Sequence, residues 1–183
     1  EDLSDYIVEN IDPDFGFSRY AERIGQSANS FDELYLKLSG ESTFIDHFTL
    51  NILNEKLLSF SPKLICFSVP FPGNLYAAFK CAQFIKLTFP TIKIAMGGGF
   101  PNTELRELKD KRVFEFFDFI TLDDGELPLE LLYDYVNSNK AISRSEFKRT
   151  FLLENNEVVY KHNSLKADYK QAFVGTPDYT DLM

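Results

Sequence analysis

The chain has 183 residues, 44% of them hydrophobic and 26% charged, and its 19 Lys and Arg against 28 Asp and Glu give a formal charge of -9. That length suffices for one sizeable core, and no run approaches the roughly 20 apolar residues of a membrane helix. No Lys/Arg cluster offers the basic footprint that displaces counterions from a phosphate backbone, so nucleic acid is not an expected partner.

The N-terminus, "EDLSDYIVEN", is acidic and has neither the basic nor the apolar region of a signal peptide. It also lacks an initiator Met, which suggests a piece of a longer polypeptide. Residues 1–60 read as a helical segment packing on the sheet, with turn signals at "NIDPDFG" and "LSGES". Asn29 or Ser30 is placed to cap a short helix with Phe31, Leu34, Tyr35 and Leu38 on one face. From Thr43 a longer helix carries Phe44, Phe48, Ile52, Leu53, Leu57 and Phe60 at helical spacing.

The pattern then changes. "KLICFSV" (63–69) is a continuous β-favouring run, expected to be buried on both faces. "PFPGN" breaks it, and a helix over 74–89 follows with Asn74 as its cap. "TIKIAM" (91–96) is a second strand, followed by three glycines and a helix through "NTELREL". "FDFITL" (117–122) is a third, then "DDGE" and the helix "LPLELLYDYVNS". This alternation predicts βα units and a parallel sheet, an α/β core over 61–140. After it, 141–183 reads as a separate hairpin around "ENNE" and a linker.

In an open parallel sheet, ligands bind beyond the C-terminal ends of the strands, near a reversal of strand order. Three unusual loops leave those ends. "SVPFPGN" offers the Ser68 hydroxyl and a stiffened turn, or else a rigid cap for the next helix. "GGGFPN" is no dinucleotide fingerprint, because Asn102 stands where the third glycine belongs. It is either bare backbone for a planar or bulky ligand or a tight turn with close helix–strand packing. "DDGE" gathers Asp123, Asp124 and Glu126, suited to a metal or acid–base pair, or simply to the positive end of a helix dipole. Cys66 and Cys81 have no metal-ligand spacing and are expected to be buried thiols in a reducing cytoplasm. His47 and His162 lack partners at catalytic spacing, and no catalytic residues are assigned.

The run "PKLICFSVPFPGNLYAAFKCAQFIK", with "IKIAMGGGF" and "FDFITLDDGELPLELL" after it, resembles the cobalamin-binding domain of radical S-adenosylmethionine enzymes. The resemblance covers about residues 62–136. It implies a Rossmann-like, flavodoxin-type module whose cofactor edge is formed by Ser68, Gly97, Gly98, Gly125 and Glu126, with the glycines bare so that the nucleotide tail of cobalamin lies against backbone. It further implies a radical domain downstream of Met183, with a 4Fe-4S cluster and S-adenosylmethionine, to which "TPDYTDL" would lead. The Cys-x-x-x-Cys-x-x-Cys cluster motif is missing, so the radical chemistry would reside beyond Met183. The Asp-x-His-x-x-Gly motif that supplies a lower cobalt ligand in methionine synthase and the mutases is also missing, and a first strand is hard to find before residue 60. These last two omissions favour the alternative, a degenerate Rossmann-like module that binds no cofactor and serves docking or substrate shaping.

Overall fold

A computed structural model describes residues 2–11, 31–137, 142–175 and 180. The expected caps Asn29 and Ser30, and most of the C-terminal "GTPDYTDLM", lie outside the described residues. Six helices are described: α1 (Asp2–Asn10), α2 (Asp32–Ser39), α3 (Phe44–Phe60), α4 (Leu75–Thr88), α5 (Gly99–Glu104) and α6 (Glu126–Asn137). Five strands, β1 (Leu64–Ser68), β2 (Lys93–Gly97), β3 (Phe119–Thr121), β4 (Thr150–Glu154) and β5 (Glu157–Lys161), form one sheet in that order.

The fold is the expected α/β, Rossmann-like open sheet. β1, β2 and β3 are parallel neighbours, with Cys66 beside Ala95 and Ala95 beside Phe119. The hairpin is not separate, however: β4 pairs antiparallel with β3, and β5 with β4. Its turn is the one that "ENNE" predicts, since Asn155 and Asn156 both take left-handed φ, 50° and 64°. Asparagine tolerates that region better than other residues with a Cβ. Strand order follows chain order throughout, so the described sheet contains no reversal.

Alternation along the strands sends side chains to two cores. One face carries Ile94, Met96, Ile120 and Phe151, with Ile65 and Phe67 against them, and is covered by α4 through Phe79, Ala82 and Ile85. Leu34, Leu38 and Leu57 bring α2 and α3 into the same core. On the opposite face, α6 sets Leu127, Leu131 and Leu132 over Ala95, Phe119, Phe147 and Leu152. Each fully buried Leu, Ile, Met or Phe among them contributes about 1.5–3 kcal/mol on leaving water.

β1 does not match its expected burial. It ends the sheet, so only one of its edges is paired within the described sheet, and Cys66 and Ser68 are exposed. A continuous apolar run cannot distinguish a central strand from an edge strand, because pairing is decided by other segments.

α3 also corrects the sequence reading. Phe44, Phe48, Ile52 and Phe60 point to solvent, while Asp46, Leu53 and Leu57 turn inward. The capping box explains the orientation. Thr43 Oγ1 accepts the Asp46 N–H, and the Asp46 carboxylate accepts the Thr43 N–H. The same carboxylate accepts the buried Tyr76 hydroxyl at 2.8 Å and lies 4.0 Å from buried Lys80 on α4. A buried carboxylate with these partners turns its own face of the helix inward. Asn74 occupies the N-cap position of α4, but its side chain makes no capping bond.

Candidate functional site

A cleft of about 410 Å³ opens at the C-terminal ends of β1, β2 and β3, on the α6 face. Its floor is built of small residues: Cys66 and Ala95 in one row, Ser68, Gly97 and Thr121 in the next. Leu129 and Leu132 of α6 form one wall, and Asp123, Gly125 and Glu126 form the rim. The cleft arises because α6 covers β2 to β4 and leaves the side chains of Cys66 and Ser68 open. All five residues singled out in the sequence, Ser68, Gly97, Gly98, Gly125 and Glu126, line it. Its volume lies at the lower end of ligand pockets, roughly 300–1,000 Å³.

The three glycines have an explanation inside the fold. Gly98 has φ 104°, and a Cβ there would come within 2.8 Å of the backbone N and O of Val69. A Cβ on Gly99 would stand 2.6 Å from the Pro70 carbonyl oxygen, and one on Gly97 would stand 2.7 Å from Thr121 Oγ1. Bare backbone lets the chain leave β2 tightly against the end of β1, where Val69 N–H donates to Gly97 O and Phe100 N–H donates to Val69 O. α5 therefore begins inside the glycine run, at Gly99, and ends at Glu104 rather than continuing through "NTELREL". Of the three glycines lining the cleft, Gly97 and Gly98 are packed by protein atoms. Gly125 is the one where a Cβ would meet nothing within 4 Å.

The acidic loop is fastened from both sides. Asn102 Oδ1 accepts the Asp123 N–H at 2.6 Å, and Arg106 of the same loop region pairs with the Asp123 carboxylate. Opposite, Leu122 N–H donates to Arg149 O, while Arg149 donates to Leu122 O at 3.3 Å and to Asp124 O at 2.7 Å. Asp123 is held at φ 58°, in the left-handed region. Leu129 N–H donates to Gly125 O and starts α6, placing Glu126 in its first turn, where the helix dipole favours a carboxylate.

No known protein family, curated protein or solved structure matches this chain.

Among the described residues, no three His, Cys, Asp or Glu side chains are grouped to hold a metal ion. His47 lies on α3 and His162 stacks on Tyr160 beyond β5, and neither lines the cleft. The cleft instead offers acceptors, the Asp123 and Glu126 carboxylates at the rim and the Ser68 and Thr121 hydroxyls on the floor, beside the apolar wall of Leu129 and Leu132. Such a lining suits a neutral, amide-bearing or cationic group better than a polyphosphate. Cys66 also opens on it, contrary to the expected burial, although the protein around its sulfur raises the thiol above its ordinary pKa. Cys81 is buried as expected, and burial, with the Asp46 charge nearby, pushes it up to about 11.

Sequence reasoning missed Asn102, Arg106, Thr121 and Arg149. Asn102 carries a faint signal, because it replaces a glycine in a near-fingerprint. Arg149 carries none, since the carbonyls it holds lie 27 and 25 residues earlier.

Proposed function

We propose that this chain is the cofactor-binding module of a cobalamin-type radical S-adenosylmethionine enzyme, a cytoplasmic protein, and is not catalytic alone. One observation carries the reading: Ser68, Gly97, Gly98, Gly125 and Glu126, taken from three separate loops, converge on a single cleft at the strand ends. The donor set fits one part of the group. A cleft of 410 Å³ takes a nucleotide-sized arm rather than a whole macrocycle, with Leu129 and Leu132 against its apolar surface. Asp123 and Glu126 would accept hydrogen bonds from corrin amides at the rim, and the Ser68 hydroxyl would accept one from the arm on the floor. Bound cobalamin would typically relay a methyl group, and cluster chemistry belongs to the downstream domain, the expected partner of this module. The cofactor would be held without a protein histidine from the cleft lining.

A second reading has its own observation. Because the Cβ positions of Gly97, Gly98 and Gly99 are filled by protein atoms, the glycine run is explained without any ligand. That supports a Rossmann-like module kept for docking or substrate shaping.

An absorbance titration of the full chain with hydroxocobalamin separates the two. Cofactor binding predicts a saturable spectral change, protection of Cys66 from alkylation, and loss of both in Gly125→Val, which puts a branched side chain on the cleft lining where no protein atom occupies the Cβ position. A well-folded wild type with no spectral change, or with Cys66 unprotected at saturation, favours the docking module.

A further inference from the structure

We propose that Asp168 and Arg149 form a positioning relay through which the C-terminal segment 162–170 sets the geometry of the acidic loop on the cleft. The consequence for ligand affinity rests on the cofactor reading above; the relay itself does not.

Arg149 is buried and held at φ 49° immediately before β4. A residue with a Cβ stays in that region only where its surroundings over-determine it. Here they do: the guanidinium bridges the carbonyls of Leu122 and Asp124, on either side of Asp123. The carboxylate in contact with this buried cation comes from outside the sheet. Asp168 Oδ1 lies 2.7 Å from Arg149 Nη2, and Oδ2 lies 3.0 Å from Lys148 Nζ, which also donates to Lys166 O. Two further contacts tie the segment to α6, since Lys166 Nζ lies 3.0 Å from Glu130 Oε1 and the Tyr169 hydroxyl also donates to Glu130. One stretch without regular secondary structure thus grips both the loop on the rim and the helix that forms the wall.

The electrostatics make the arrangement responsive. A buried guanidinium deprived of its counter-charge is costly. The other carboxylates acting on Arg149 are Asp123 and Asp124, both on the cleft loop. Withdrawing Asp168 therefore draws the guanidinium toward those carboxylates and loosens the two carbonyl bonds. Anything that pulls on segment 162–170 changes the rim, and a ligand on the rim stabilises the segment by the same free energy.

Hydrogen exchange on the full chain tests the relay, comparing wild type with Asp168→Asn, Asp168→Glu and Glu154→Gln. The last removes a carboxylate beside the hairpin turn, at the end of β4 away from Arg149, that pairs with Lys161. Asp168→Asn is expected to accelerate exchange several-fold at 123–129 while β2 stays protected, with Asp168→Glu largely restoring protection and Glu154→Gln changing nothing there. Unchanged exchange at 123–129 refutes the relay. Equal acceleration in β2 refutes it too, by making Asp168 a general structural ion pair. Where wild type binds hydroxocobalamin, Asp168→Asn should weaken binding by about tenfold, within the usual range of site coupling, and unchanged affinity overturns the coupling. If wild type does not bind hydroxocobalamin, the cofactor reading falls and the exchange data still decide the relay.

Discussion

At the residue scale, the glycines separate structural from ligand-facing roles. Gly98 combines φ 104° with a Cβ position only 2.8 Å from Val69 backbone atoms, which cannot yield as a flexible side chain would. Gly98→Val would therefore damage the fold rather than act by filling ligand space. Even Gly98→Ala is expected to cost about 1–3 kcal/mol from backbone strain, more with the clash. Gly125→Ala, with open space around its Cβ and φ outside the left-handed region, is expected to fall within about 0.5 kcal/mol of wild type. Urea unfolding checks both, and a Gly98→Ala as stable as wild type would contradict the packing account. The thiols divide in the same way. Near pH 8, roughly where an ordinary thiol begins to ionise, iodoacetamide should modify Cys66 alone, more slowly than a free thiol, and reach Cys81 only after unfolding. Because folding raises the Cys81 pKa, the neutral thiol is favoured in the native state. Its contribution to stability is full below the ordinary value of 9 and is lost as pH rises through about 11. The stability difference between wild type and Cys81→Ala should shrink across that window in urea titrations.

At the element scale, α3 shows how one helix can carry two plausible faces. Phe44, Phe48 and Ile52 recur at helical spacing, and so do Asp46, Leu50, Leu53 and Leu57. Hydrophobicity favours the first set, yet Asp46 decides for the second, because its carboxylate finds Thr43, Tyr76 and Lys80. Phe48→Glu, on the exposed stripe, is therefore expected to change stability by less than about 0.5 kcal/mol. Leu57→Ala, on the buried side, should cost about 2–5 kcal/mol. Thermal or urea unfolding of the two variants measures this, and the reverse order would mean the helix is rotated. The parallel strands and the hairpin turn were legible from the chain because buried strands, amphipathic helices and left-handed asparagines leave local patterns. The glycine run was legible as a site but not as to cause, since either a ligand or Val69 and Pro70 would demand bare backbone.

At the scale of the whole molecule, the hairpin joins the parallel strands in one sheet, with Phe151 in one core and Leu152 in the other. The two parts should unfold together. Native-state hydrogen exchange is expected to give the amides of β4 the same opening free energy as those of β2. A hairpin that opens independently, at clearly lower free energy, would show the antiparallel half to be an appendage. Among the described residues, no helix is long and apolar enough to cross a membrane. The sequence alone determined the order and type of the βα units, the parallel pairing and the turn at Asn155–Asn156, because each depends on the period or dihedral preference of neighbouring residues. Only the tertiary structure decided that β1 lies at an edge of the described sheet, that Asp46 turns α3, and that Gly98 packs on Val69. It also decided that Arg149 binds the acidic loop to Asp168. Each of these depends on atoms far apart along the chain, and no local pattern encodes which distant group will occupy the space beside a residue.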